Sequence, residues 1–197
     1  MDKIHNDKAF SMIADIEGDF TDFSNLELPQ SLPILPVRNL VLFPGVVSPI
    51  LIGRESSMKL IKKADKKNLL IGIICQRDAE IEHPDTQDLY NYGVYAKVIK
   101  VLTLPNGNIT AIVQGLGRLE LIGITNTTPY LYGSVMPAPE SSPEKNDAEY
   151  KAAVDDLRQT TSEYIRINDD IPEEANFAIK NVSNDIMAIN YICSNLI

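Results

Sequence analysis

The sequence predicts an α+β protein: a β-rich, barrel-like part with one packed helix, followed by a helical subdomain. Three observations carry that expectation. Between Leu32 and Met136, apolar runs of strand length alternate with breaks that hold Pro, Gly or Asn. Inside that region only about Ser56 to Asn68 has helical spacing. After a gap rich in Pro and Ser, apolar residues recur at helical intervals to the end of the chain. The expected divisions are an acidic arm at 1–30, a β-rich barrel at 31–137, a linker at 138–146 and helices at 147–197.

In chain order, residues 1–30 carry seven acidic residues against Lys3 and Lys8, with Phe10, Ile13, Ile16, Phe20 and Phe23 interleaved. This reads as a solvated tail, or as a short amphipathic arm, with helical spacing from Phe10 to Ile16, that docks its apolar residues on a neighbour. Leu32 to Leu42 mixes aliphatic residues with Pro33 and Pro36. Proline lacks a ladder donor, so the stretch reads as an edge strand, followed by a turn at Phe43-Pro44-Gly45. Val46 to Ile52, interrupted by Pro49, is a second strand. A helix is expected from Ser56, capped by Ser56 or Glu55, with Leu60, Ile61 and Ala64 inward. Leu69 to Cys75 is an unbroken apolar run of buried-strand length. Gln76 to Asn91 is a polar loop. Val94–Leu104 and Asn108–Gln114 flank Pro105-Asn106-Gly107 as a hairpin, and the first of these is apolar on both faces, which suits a closed sheet. Gly115 and Gly117 are read as a sharp turn. They lack the third glycine and following helix of a phosphate cradle. Arg118–Ile124 and Tyr130–Met136 are the last strands. Tyr150 to Ile165 forms one long amphipathic helix, stopped at Asn168-Asp169-Asp170. Pro172 begins the next, and Ser183-Asn184-Asp185 recaps a final helix with the stripe Ile186, Ile189, Cys193 and Leu196.

The string LPILPVRNLVLFPGVVSPILIGRESS, residues 32–57, resembles the opening of the amino-terminal domain of Lon, the ATP-dependent protease. The family pattern P-x-R-x-x-V-x-F-P falls on Pro36, Arg38, Val41, Phe43 and Pro44, and G-R-E-x-S on Gly53, Arg54, Glu55 and Ser57. Gly93–Ile99 and Val113–Arg118 fit as well. The resemblance runs from Leu32 to the end of the chain and leaves out the first thirty residues. It implies a PUA-like pseudo-barrel and a role in capturing unfolded, misfolded or degron-bearing proteins for quality control and in hexamer assembly. It also implies that the helical tail leads into an ATPase module, which uses ATP and Mg, and then a Ser–Lys protease module. The chain ends on Leu196-Ile197 inside an apolar pattern, which reads as a boundary ahead of those modules.

The 197 residues amount to one or two domains, 44% hydrophobic and 23% charged, as in a soluble globular protein. No apolar run approaches the ~20 residues of a membrane helix, and the amino terminus is no signal peptide, so a cytoplasmic location is expected. The net charge of −9 disfavours a general nucleic-acid surface. Lys59, Lys62, Lys63, Lys66 and Lys67 are the exception, and they keep a PUA-like RNA-binding module open as a rival, alongside a free-standing Lon-like binding protein. Cys75 and Cys193 sit in apolar runs without disulfide or metal spacing, and His5 and His83 have no ligand-spaced partners.

There is no Walker A loop and no nucleophile with an evident base, so no catalytic residue, cofactor or metal is assigned within this chain. The family's catalytic pair belongs to a module outside it. What remains is binding. The candidate substrate-facing residues are Arg54, Glu55 and Lys59 at the strand-to-helix turn, and Leu42, Phe43 and Val47 on the Pro-marked edge, where apolar patches or strand addition would accept many sequences. The competing reading has Glu55 capping the helix, Arg54 solvated and the apolar residues in the core.

Overall fold

The computed structural model describes residues 12–13, 27–105, 107–141, 143–144, 147–169 and 171–195. Its strands are β1 (Met12–Ile13), β2 (Ser31–Val37), β3 (Val46–Ile52), β4 (Ile71–Cys75), β5 (Tyr92–Thr103), β6 (Ile109–Asn126) and β7 (Tyr132–Pro137). The helices are α1 (Glu55–Lys67), α2 (Ala148–Ile167), α3 (Glu173–Asn181) and α4 (Asp185–Asn195). Among the described residues, no helix is long and apolar enough to cross a membrane.

β6 is the spine of the mixed sheet. β5 pairs along one of its edges from Ile109 to Glu120. On the other edge β3 pairs with the first part of β6 and β7 with the last. β7 also pairs with β2, which runs parallel to β4, and β4 pairs with β5. The ring β6–β5–β4–β2–β7 therefore closes on itself, and β3 extends it on one side. The expected α+β pseudo-barrel with one packed helix and a helical tail is what the chain forms.

Closure explains why strands here are apolar on both faces. On β2, Leu32 and Ile34 face the barrel interior with Ile74, Leu119 and Val135. Leu35 and Val37 face a second core, under α1, with Ile73, Val94 and Ala111. Leu60, Ile61 and Ala64 of α1 are at most 1% exposed there, as their spacing predicts. β6 serves both cores because one extra residue, Leu116, sits between the partners of Tyr95 and Ala96. The bulge flips the pleat, so Ile109, Ala111 and Val113 face one core and Leu116, Leu119 and Leu121 the other.

Several expectations are corrected. β2 is not an edge strand, because β4 and β7 flank it. Its prolines fit all the same. Ile34 N–H donates to the Leu131 carbonyl on the side away from β4, and Pro36, two residues on, directs its missing donor to that same side, where β2 has no strand partner at that level among the described residues. Gly115 and Gly117 do not turn the chain. β6 runs straight through them, and a Cβ at Gly115 would collide with the Phe43 carbonyl, one at Gly117 with the Tyr95 ring. Met12–Ile13, placed within a helical spacing, instead forms a strand on β3. Residues 1–11 and 14–26 of the acidic arm and the Leu196–Ile197 end lie outside the described residues. In the hairpin, the outer ends of the two-faced β5 are exposed at Ile99 and Leu102.

The tail helices pack around Ile165, Ile179, Tyr191 and Ile192. Asp147 caps α2 by accepting from the N–H groups of Glu149 and Tyr150. Arg158 donates to the Ile179 carbonyl and pairs with Asp185 at 3.0 Å. The buried face of α4 is Met187, Ala188, Asn190, Tyr191 and Ile192, not the predicted stripe. α4 is apolar nearly all round, so spacing alone could not orient it. Asn190, 1% exposed, joins the helices to the barrel: its Nδ2 donates to the Pro44 carbonyl at 3.2 Å, and its Oδ1 accepts from Arg118 at 2.9 Å. Arg118 also pairs with Glu140 at 2.6 Å, which ties down the Pro-rich segment read as a linker.

Candidate functional site

Three clefts surround the start of α1 and the strands beside it. The largest, about 750 Å³, lies at the amino-terminal end of α1 and is lined by Arg54, Glu55, Ser57, Lys59, His83 and Tyr130, among others. Here the helix begins without the expected side-chain cap. Its N-cap is Arg54, with extended backbone (φ −74°, ψ 138°) and no capping hydrogen bond. The first-turn N–H groups and the positive end of the helix dipole are thus left for solvent or a ligand. Glu55 does not cap. It pairs with Lys59 one turn on, at 2.7 Å, and that hydrogen bond and charge hold its carboxyl below the ordinary range.

Arg54 is not merely solvated. Its Nη2 donates to Gln76 Oε1 at 2.5 Å and to the Ile81 carbonyl at 3.0 Å. Gln76, 4% exposed, donates to the same carbonyl at 2.9 Å, and Arg38 reaches it at 3.4 Å. Three donors, just after β2, just before α1 and just after β4, therefore fix the 77–85 loop on one carbonyl. Partial burial and the nearby Arg38 charge lower the Arg54 pKa, and Glu82 opposes them. Tyr130 lines the same cleft, and Lys63, behind it, stands 5.4 Å from the centroid of that ring; its hydrogen bond to the tyrosine raises the ammonium pKa.

The second cleft, about 420 Å³, is the slot between β2 and the part of β3 beyond its pairing with β1, where Pro36, Arg38, Pro49, Leu51 and Arg54 meet. Both bordering strands carry a proline, which weakens them as templates for a further strand. The third, about 410 Å³, is apolar. Leu40, Val41, Leu42, Tyr90 and Tyr92 form most of its wall, with Cys75 and Arg77 beside them. Val41, Tyr90 and Tyr92 are 43%, 48% and 64% exposed, a concentration of apolar surface at one rim. Arg77 braces that rim: its guanidinium lies 4.8 Å from the Tyr90 ring centroid, and its Nε donates to the Leu89 carbonyl at 2.9 Å.

The predicted residues therefore separate. Arg54, Glu55 and Lys59 come together at the first cleft. Leu42 lies at the base of the apolar groove, but its side chain is buried in the core under α1. Phe43 is half-buried beneath the Arg118 guanidinium, and Val47 is half-buried in β3 between Met12 and Gln114. Neither lines any of the three clefts. Sequence reasoning missed Ser57 as a buried wall residue, Gln76 and Ile81 as the loop anchor, and Val41, Tyr90 and Tyr92 as the exposed rim. The pair Tyr90-x-Tyr92 within an otherwise polar loop was the one signal available. Among the described residues, no group of three His, Cys, Asp or Glu could hold a metal ion.

Residues 31–197 match the family described as the substrate-binding domain of the ATP-dependent protease La (LON). The chain is 41% identical over 178 residues to the Lon protease of Flavobacterium johnsoniae, covering 90% of this chain and 22% of that protein. It is 40% identical over 182 residues to the Lon protease of Parabacteroides distasonis, covering 92% and 22%. It spans about a fifth of the length of these relatives. Among solved structures, its fold is similar to a Lon N-terminal domain protein from Xanthomonas campestris (TM-score 0.53, 14% identity, 81% of this chain and 94% of that one). It is also similar to the N-terminal domain of a Lon protease from the Mycobacterium avium complex (TM-score 0.50, 19% identity, 84% and 100%).

Proposed function

Because this chain belongs to the family of Lon substrate-binding domains, we propose that it is the recognition segment of a Lon-type ATP-dependent protease and binds unfolded or degron-bearing proteins. The observation that carries this reading is the apolar groove with Val41, Tyr90 and Tyr92 exposed at its rim. Such a surface takes a large side chain from an extended segment without reading its sequence. The cleft at Arg54, Glu55 and Lys59 lies across the intervening slot, which shares Val37 and Leu40 with the groove and Arg54 and Ser57 with the cleft, and supplies polar contacts to the same segment. The prolines at 36 and 49 turn the slot between the two clefts away from strand addition, so side-chain burial and not ladder extension is the proposed mode. In this reading the barrel at 31–137 provides capture, and the helices at 147–197 lead toward ATPase and protease modules in a hexamer.

The test is binding of the 197-residue chain to a permanently unfolded model protein and to its folded counterpart. Preference for the unfolded form is expected. Each apolar rim contact removed, in Val41→Ser and Tyr92→Ser, should cost about 1 kcal/mol, close to a fivefold loss, on the usual value for buried apolar area. Equal affinity of the double variant and the parent would sink the groove as the capture surface.

A further inference from the structure

We propose that the apolar groove holds the free carboxyl end of a captured chain, with the terminal residue's apolar side chain against Val41, Tyr90 and Tyr92 and its α-carboxylate on Arg77. This rests on the recognition reading and names which part of an unfolded chain that surface takes.

Charge separates the groove from the other two clefts. The first cleft has Glu55, Glu82 and Asp85 in its wall, and the slot has Glu82. Among the described residues lining the groove, Arg77 is the sole charged side chain. It makes no ion pair among the described residues. Its Nε donates to the Leu89 carbonyl at 2.9 Å and its Nη2 to Asn91 Oδ1 at 3.2 Å, both neutral oxygens, which leaves the Nη1 donors over. The carboxylates beside it turn elsewhere. Asp78, next in sequence, accepts through Oδ1 from the Glu80 N–H at 2.9 Å. Asp88, whose carbonyl accepts from the Arg77 N–H, uses its Oδ2 to accept from the Asp85 N–H at 2.8 Å. Glu120, paired opposite Tyr92 on β6, is not in the groove wall. On a chain of net charge −9, an exposed cation without an acid partner, set in an apolar wall, favours one negative group carried on an apolar residue.

Spacing decides which carboxylate. The Arg77 guanidinium lies 4.8 Å from the Tyr90 ring centroid, and that ring is part of the apolar wall. A side chain packed on the ring therefore has the cation almost within reach of its own backbone. A terminal α-carboxylate sits roughly 2.5 Å from the Cβ of the same residue, across two bonds. Inside an extended chain, the next side chain points to the opposite face, and the one after it is about 7 Å further on. The chain end brings both groups to one spot. The residues before it then run out across the slot that joins the groove to the Arg54 cleft.

The experiment is fluorescence anisotropy of the 197-residue chain with short labelled Gly-Ser peptides. One ends in leucine as the free acid, one in leucine as the amide and one in serine as the free acid; the fourth is an amide with glutamate two residues after an internal leucine. The leucine acid should bind about fivefold more tightly than the leucine amide, the upper end for an exposed ion pair, and about tenfold more tightly than the serine acid. The internal-glutamate peptide should match the leucine amide. Arg77→Gln should bring the acid-to-amide affinity ratio close to unity, and Arg77→Lys should keep it above unity. An arginine that only braces Tyr90 would weaken both leucine peptides alike on replacement and leave their ratio as it was, which would overturn the proposal. Equal binding of the leucine acid and amide by the parent would overturn it too, as would an internal-glutamate peptide that binds as well as the leucine acid. Capture is read separately, with the permanently unfolded protein and the Val41→Ser and Tyr92→Ser variants. A chain whose capture depends on Val41 and Tyr92 but that treats acid and amide alike would lose the chain-end site and keep the recognition reading. A chain that binds neither the unfolded protein nor any peptide would lose both.

Discussion

Replacing Asn190 by Leu should loosen the tail helices from the barrel by a calculable amount. Asn190 is buried, and its two hydrogen bonds, to the Pro44 carbonyl and from Arg118, span the join between α4 and the sheet. Leucine keeps the volume and removes both. The Pro44 carbonyl is in a buried residue and would lose that donor, at about 1–3 kcal/mol. Arg118 is 39% exposed at the side chain and keeps Glu140, so water replaces much of its loss and about 1 kcal/mol remains. The sum is about 2–4 kcal/mol. With a urea slope of about 3 kcal/mol per molar, the upper end of the usual range, the midpoint should fall by roughly 1 M. Urea melts followed by helical circular dichroism and by tyrosine fluorescence provide the measurement. Glu140→Gln, which removes an accessible ion pair, should cost under ~1 kcal/mol. A variant as stable as the parent would show that Asn190 is a passenger in an apolar joint and refute the reasoning.

Three further outcomes are expected. Gly117→Ala places a Cβ in the space of the Tyr95 ring and Gly115→Ala places one on the Phe43 carbonyl, so each should destabilise by about 1–3 kcal/mol or more in thermal melts. Gly53→Ala, which meets nothing within 4 Å, should be near neutral by the same assay. Because Lys59 depresses the Glu55 carboxyl, the stabilisation from this pair is present above the ordinary glutamate range and lost as pH falls through the lowered value; an NMR titration should find that midpoint moved upward in Lys59→Met. The Lys63 ammonium is raised by Tyr130, so its contribution is present below the ordinary lysine value and lost as pH rises through the higher one. Tyr130→Phe should return the lysine midpoint toward normal.

Much of this fold is readable in the sequence. Pro105 and Gly107 announce the β5–β6 hairpin, and Gly107 does take a positive φ of 85°. Leu60, Ile61 and Ala64 announce the buried face of α1. Misreadings came where one residue type serves two purposes. A glycine needed because another backbone comes close looks the same in sequence as a glycine needed for a turn, so Gly115 and Gly117 pointed to a break in a strand that has none. A proline fits an inner strand when its missing donor faces a gap, as at Pro36, and only the pairing pattern reveals the gap. The site divides similarly. Arg54, Glu55 and Lys59 are neighbours in sequence and could be grouped from it. The Ile81 carbonyl, Gln76 and Arg54 are brought together only by the fold, and Tyr92 joins Val41 across a separation of 51 residues.

The ring has a temporal consequence. β5 and β6 meet across a short turn, so their ladder can zip from Gly107 outward at little loop-closure cost. β2 cannot complete its pairing until β7 exists, a hundred residues later in the chain. Topology therefore predicts that the hairpin forms early, and that the β2–β7 seam closes last and sets the folding rate. Pulse-labelled hydrogen exchange should protect the amide of Val98 well before that of Gly133; the opposite order would contradict it. During synthesis, the amino-terminal strand would wait, half-paired and sticky, until Tyr132–Pro137 leaves the ribosome.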